Sequence, residues 1–178
     1  KGAALKKAIA AGEKELKAGR VAALLVAGGQ GSRLGYDGPK GCYSIGPITG
    51  APLFYFHARK ILARSIRYGA AIPFYVMTSE ANNEATVKCF EENEYFGLNA
   101  DDVIFFRQGM WPGMTADGKI ILDKPGHVFM SPDGHGGMIS ALKVNGCFAD
   151  MKKRGVKTLF YFQVDNPMVE VADPAFIG

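Results

Sequence analysis

The densest concentration of chemically useful residues lies between positions 27 and 41, in the run Ala27-Gly-Gly-Gln-Gly-Ser-Arg-Leu-Gly-Tyr-Asp-Gly-Pro-Lys-Gly41. Glycines at 28, 29 and 31 leave backbone N–H groups open to close approach by a base, a ribose or a phosphate. Ser32 adds a hydroxyl, and Arg33 offers a planar fork for phosphate oxygens. Pro39 stiffens the turn that presents Lys40. Three readings compete. A P-loop needs GxxxxGK[ST], but Lys40 stands between Pro39 and Gly41, so the spacing fails. A dinucleotide fingerprint needs a helix opening inside the glycine motif, whereas Gly35, Gly38 and Pro39 keep this chain extended or turning. The third reading, a loop for a nucleoside triphosphate with two cations at its far end, meets no such objection. A plain surface turn fits less well, because a long irregular loop directly after a buried strand is usually functional.

Three further positions stand beside this loop. Asp165 follows a strongly apolar run and precedes Asn166-Pro167, which suits either a metal-binding carboxylate or a turn aspartate. Gln108 closes another apolar run, where a side-chain amide can donate and accept at once. His135 lies in a second glycine-rich stretch, Ser131-Pro-Asp-Gly-His-Gly-Gly137. His57, on a helix, and His127, in a hairpin strand, read as structural. Cys42, Cys89 and Cys147 are widely spaced and odd in number, so the pattern points to neither zinc nor a disulfide framework but to reduced thiols, as in the cytoplasm.

The elements that must position these residues alternate. Residues 3–18 read as a surface helix with a Glu13–Lys17 pair and Gly19 at its C-terminal cap. The short apolar run at 21–27 reads as a strand buried on both faces, and those at 74–77, 103–106 and 158–164 as further strands, the last in the core. Pro52 opens a helix that Gly69 closes, with Leu53, Phe54, Ile61 and Leu62 inward and Arg59, Lys60, Arg64 and Arg67 on a solvated face. Helices are expected at 83–93 and from 137 through roughly 154. Residues 109–118 read as turns, and Pro125-Gly126 suits the centre of a type II turn in a hairpin between 119–122 and 127–130. The class is therefore α/β with a mostly parallel sheet and a β-hairpin insertion. Ligands of such sheets bind outside the carboxyl ends of the strands, which here carry Gly28-Gly29, Thr78-Ser79, Arg107-Gln108 and Asp165-Asn166.

With 178 residues, 48% hydrophobic and 21% charged, the chain reads as a globular protein with a sizeable core rather than a disordered one. A net charge of +4 favours an anionic partner but is too weak and too scattered for nucleic acid. No apolar stretch approaches the ~20 residues that span a bilayer, so no membrane partner is expected. The start at Lys1 and the end at Ile177-Gly178 read as those of part of a longer protein.

Several ordered motifs together resemble the UDP-sugar pyrophosphorylases, most closely the UDP-N-acetylhexosamine branch. They are Leu25-Val-Ala-Gly-Gly-Gln-Gly-Ser-Arg-Leu-Gly35, Gly38-Pro-Lys-Gly41, Val103-Ile-Phe-Phe-Arg-Gln-Gly-Met110, Asp117-Gly-Lys-Ile-Ile-Leu122, Ser131-Pro-Asp-Gly134, Val164-Asp-Asn166 and Ala172-Asp-Pro-Ala-Phe-Ile-Gly178. The resemblance implies a Rossmann-like, GT-A-like nucleotidyltransferase fold, with residues 1–178 as the N-terminal, uridine-nucleotide-binding part of a larger catalytic domain, 1–19 as an N-terminal helix, and the sugar-binding and C-terminal parts elsewhere. It implies transfer of a uridylyl group from UTP to a hexose 1-phosphate, N-acetylglucosamine 1-phosphate first, with release of pyrophosphate. Glucose 1-phosphate, and a nucleotide-binding fragment without catalysis, stay open as alternatives. By the same resemblance Ala27, Gly28 and Gly29 line the nucleoside, Gln108 and Gly134 read the uracil edge, Arg33 and Lys40 hold the triphosphate, and Asp165 binds magnesium (Mg2+). Ser32 stands where threonine is common. His135 stands where the N-acetylhexosamine branch has asparagine, so that Gly134-His-Gly136 is more similar to the UDP-glucose branch.

Overall fold

In the computed structural model, which describes residues 2–178, the four apolar runs become one sheet. Its strands are β1 (Val21–Val26), β2 (Phe74–Thr78), β3 (Val103–Arg107) and β8 (Thr158–Gln163), in the order β3-β2-β1-β8 and all parallel. Side chains on a strand alternate between faces, and β1 shows the consequence. Ala23 and Leu25 join a core with Phe54, Ile61, Phe74 and Phe90. Ala22 and Leu24 join a second core with Tyr75, Met77, Leu142 and Met151.

The first core is covered by α2 (Leu53–Tyr68) and α3 (Asn83–Glu92), the second by α4 (Gly134–Val144) and α5 (Cys147–Arg154). This is the α/β, Rossmann-like arrangement expected, three layers with helices on both faces. α1 (Gly2–Lys17) packs against the short C-terminal α6 (Pro174–Ile177). Lys1, the first residue of the expected N-terminal helix, lies outside the described residues. Gly19 takes φ +65° and its N–H reaches Leu16 O while that of Arg20 reaches Glu15 O, the paired bonds of a glycine-capped helix end. None of the described helices is long and apolar enough to cross a membrane.

Between β3 and α4 the chain leaves the sheet and returns. Asp133 N–H donates to Gly109 O at 3.0 Å, so the excursion starts and ends at one point. It contains β5 (Leu122–Lys124) and β6 (His127–Val128), joined at Pro125-Gly126 with Gly126 at φ +74° as a type II turn requires.

Three expectations need correction. The stretch read as turns at 109–118 contains a strand, β4 (Met110–Pro112), paired antiparallel with β7 (Met130–Pro132). The single helix expected to run through 154 is two, broken at Asn145-Gly146 where Gly146 takes φ +73°. The basic face of α2 is not simply solvated. Lys60 donates to the carbonyls of Pro167 and Val169, and Arg64 donates to Val171 O and Glu170, so two of its four cations hold the segment after β8. Carbonyls freed by the end of a strand need donors, and long basic side chains supply them.

Candidate functional site

The sheet runs outward from β1 in both directions, to β2 and β3 on one side and to β8 on the other. The crevice at the carboxyl ends of β1 and β8 is therefore the topological switch point, where open α/β sheets bind ligands. The glycine loop leaves β1 there, and Asp165 follows β8 there.

The loop folds back on itself. Gln30 bridges Pro39 in antiparallel fashion, Gly31 N–H donates to Gly38 O at 2.8 Å, and Lys40 N–H donates to Gly29 O at 3.1 Å. The crossing is tight: a Cβ on Gly31 would fall 2.8 Å from the Tyr36 ring. Ser32 and Arg33 form a single 3₁₀ turn, both exposed, and Arg33 has no hydrogen-bonded partner among the described residues. Lys40 begins a second such turn, Lys40–Cys42. Its ammonium stands 3.0 Å from each carboxylate oxygen of Asp165. Leu34, Tyr43, Ile45, Leu53 and Pro167 complete a recess of about 260 Å³ around this pair.

The other end of the crevice is built by Ala27, Gly28 and Gln108. Ala27 is buried, and its N–H continues the ladder to Met77 O. Gln108 packs directly over Gly28, where an added Cβ would lie 2.4 Å from Nε2. Only glycine permits that approach. Gly134 opens α4 at φ +61°, and the next residue, His135, contacts the Tyr161 hydroxyl through Nδ1. Tyr161 and Asp165 share a recess of about 400 Å³ with Gln163 and Asn166. The positions assigned to the nucleotide thus lie after β1, β3 and β8 or at the start of α4; Gly28 lies under Gln108, Lys40 pairs with Asp165, and Arg33 stands apart on the loop's outer turn.

Two residues had no signal of their own in the sequence. Asn82, buried before α3, donates through Nδ2 to Ala27 O at 2.9 Å and Gly29 O at 3.3 Å, and accepts from Ser79 N–H at 2.8 Å. It clamps the start of the glycine loop to the end of β2. Tyr161 is the other, because its role depends on α4 returning to β8. His57 keeps the structural part expected of it: fully buried, with Nε2–H donating to Val164 O at 3.1 Å, just before Asp165. Burial, and secondarily Lys60, hold its pKa below the ordinary histidine value despite that bond.

Asp165 fits a magnesium ion of one kind only. Among the described residues no cluster of three or more acidic, His or Cys ligands exists. A single half-exposed carboxylate suits an ion that draws its remaining ligands from substrate phosphates and water, once Lys40 turns to the phosphates.

A family model described as "UTP--glucose-1-phosphate uridylyltransferase" matches residues 3–178. UDP-N-acetylglucosamine diphosphorylase 1 of Arabidopsis thaliana is 42% identical over 177 residues, which cover 94% of this chain and 35% of that protein. UDP-N-acetylglucosamine pyrophosphorylase of Saccharomyces cerevisiae is 43% identical over 164 residues, 90% of this chain and 34% of that one. The crystal structure of the uridine diphosphate N-acetylglucosamine pyrophosphorylase from Trypanosoma brucei superimposes with a TM-score of 0.90 at 34% identity, covering 97% of this chain and 37% of that one. The chain thus spans about a third of the length of these relatives.

Proposed function

The chain belongs to the UTP–glucose-1-phosphate uridylyltransferase family, and we propose that it forms the UTP-binding part of an enzyme that joins UTP to a hexose 1-phosphate and releases pyrophosphate. The observation that carries this reading is the Lys40–Asp165 pair at the switch point, beside a glycine loop folded back on itself. In the proposed reaction a phosphate oxygen of the sugar attacks the α-phosphorus of UTP in line. The new bond joins that oxygen to phosphorus, and the bond that breaks frees pyrophosphate, with no covalent enzyme intermediate. Two polyanions must meet, so catalysis rests on positioning and on cationic charge.

Ala27, Gly28 and Gly29 line the nucleoside in this proposal, with Gln108 and Gly134 at the uracil edge. Arg33 and Lys40 take the phosphates; Lys40 exchanges a carboxylate partner for one of higher charge, and Arg33 closes from the exposed turn where it has no competing partner. Gly31 and Ser32 shape the loop between them. Asp165 holds magnesium, which when bound would neutralise phosphate charge. The sugar proposed is N-acetylglucosamine 1-phosphate, supported by the names of the relatives at about 40% identity. Glucose 1-phosphate is the second reading, because His135 replaces asparagine and is held by Tyr161 beside the same recess.

The test is pyrophosphate release by the full-length protein from UTP and magnesium with a panel of hexose 1-phosphates. Turnover with N-acetylglucosamine 1-phosphate is expected to exceed that with glucose 1-phosphate. No turnover with any sugar phosphate, combined with UTP binding, would leave a binding protein without catalysis and reject the enzyme.

A further inference from the structure

Behind the glycine loop, on the side away from Asp165, lies a cavity of about 440 Å³ that the proposed reaction does not use. Tyr36, Gly38, Pro39 and Cys42 line it from the loop, and Ala85, Lys88 and Cys89 line it from α3. Two thiols from distant parts of the chain therefore face one opening. Both are half-buried and free, and both pack against the same core. They reach that opening from two elements in contact with each other, the Lys40–Cys42 turn and α3. Cys42 ends the turn that begins with Lys40, and that turn packs on α3. Cys147 is buried in the opposite core and shares none of this.

We propose that Cys42 and Cys89 are a reversible disulfide site whose closure displaces the Lys40 turn and weakens nucleotide binding. The proposal rests on the reading of residues 28–40 as the nucleotide loop. The oxidant is hydrogen peroxide. Cys89 sulfur attacks the peroxide oxygen, giving a sulfenic acid and one water; Cys42 sulfur then displaces the sulfenic oxygen as a second water. Two thiols lose two hydrogens and two electrons, and the peroxide gains them. The neighbouring Cys42 thiol lowers the Cys89 pKa, against burial and the charge of Glu92, while the Cys89 thiol and burial push Cys42 up.

The mechanical consequence follows from geometry. A disulfide holds its sulfurs about 2.05 Å apart, well inside any contact distance between thiols. Closure draws the Lys40–Cys42 turn toward α3, away from β8 and Asp165. Asn82, just before α3, anchors Ala27 and Gly29, so the helix resists and the turn moves. A shift of about 1 Å in a charged group that positions a substrate is enough to matter.

The experiment treats the full-length protein with limiting hydrogen peroxide. Peptide mapping is expected to find Cys42 linked to Cys89 with loss of two hydrogens, and calorimetry to find UTP affinity about tenfold weaker. Dithiothreitol should restore both. Cys89→Ser should abolish both effects, and Cys42→Ser should abolish the linkage; Cys147→Ser should alter neither. A map showing no Cys42–Cys89 link, or a quantitative link with unchanged UTP affinity, overturns the proposal. Absence of UTP binding by the reduced protein would instead overturn the nucleotide reading, and the linkage, read by mass and by a reversible shift in Tm, would still be decided.

Discussion

The Lys40 ammonium lies 3.0 Å from both carboxylate oxygens of Asp165, joining the glycine loop to the end of β8 across 125 residues of sequence. Asp165 keeps 55% of its side-chain surface in solvent, and a pair with one partner so exposed contributes about 1 kcal/mol to stability. The fold gains little from it. It does hold a cation and an acid at the switch point in defined positions, each able to exchange its partner for a phosphate or a metal ion.

Lys40→Ala should therefore separate activity from folding. Removing one cation that faces developing charge costs on the order of 100-fold or more in turnover. The melting temperature should move little, because Asp165 is half-exposed and water replaces the lost ammonium. Pyrophosphate release and thermal denaturation of the same preparation check this. Activity near that of the parent protein would remove Lys40 from the phosphate site.

Gly28→Ala tests the uracil end. The new methyl would sit 2.4 Å from Gln108 Nε2, so the amide must swing away. Gln108 is otherwise confined, being 9% exposed. UTP affinity is expected to fall about tenfold, with a stability cost of about 1–3 kcal/mol from crowding. Gln108→Ala in the same background should recover stability but not affinity, as measured by denaturant unfolding and calorimetry.

Asn82→Ala removes the clamp on the loop. Two carbonyls lose a buried donor and Ser79 N–H loses its acceptor, so a loss of roughly 2–3 kcal/mol in unfolding free energy is expected. Asn82→Asp keeps the acceptor for Ser79 and removes the donor for Ala27 and Gly29. It should lower UTP affinity as far as alanine does and cost at least as much stability, because a buried carboxylate oxygen then faces two carbonyl oxygens. Equal affinity in parent and both variants would show that the loop needs no such anchor.

What could be read ahead of the structure follows the range of the interactions. The run 21–27 is apolar without alternation and became a central strand buried on both faces, whereas 158–164 became an edge strand that buries Phe160 and Phe162 and exposes Tyr161 and Gln163. Gly19 and Gly69 ended helices because a positive φ is a local property of the residue. Lys40 and Asp165 were each singled out from neighbouring residues, but their pairing was not, since it depends on β8 returning beside β1. Asn82, Tyr161 and the meeting of Cys42 with Cys89 stayed hidden for the same reason. The break at Asn145-Gly146 was legible in principle, as an Asn-Gly pair inside a helical pattern. Lys60 and Arg64 looked like a water-facing stripe because their acceptors are carbonyls more than 100 residues away.

His57 gives a pH prediction whose sign follows from its burial. The ring is fully buried, its Nδ1 has no partner among the described residues, and burial first, then Lys60, favours the neutral form. Its pKa is thus lower folded than the 6.5 of an ordinary histidine. As pH falls below that value the unfolded chain takes up a proton that the folded chain refuses. Stability from this group is complete above the unfolded value and is lost as pH falls toward the folded one, with a slope of at most ~1.4 kcal/mol per pH unit for one proton. His57→Gln keeps an amide donor for Val164 O and removes the titration. Unfolding free energies from about pH 8 to about pH 5 should decline more steeply in the parent than in this variant, the carboxylates being common to both. Because Val164 O immediately precedes Asp165, UTP affinity should keep its dependence on pH unchanged in His57→Gln if the histidine serves only the fold. A parallel loss of slope in both measurements would mean that the buried ring also sets the position of Asp165.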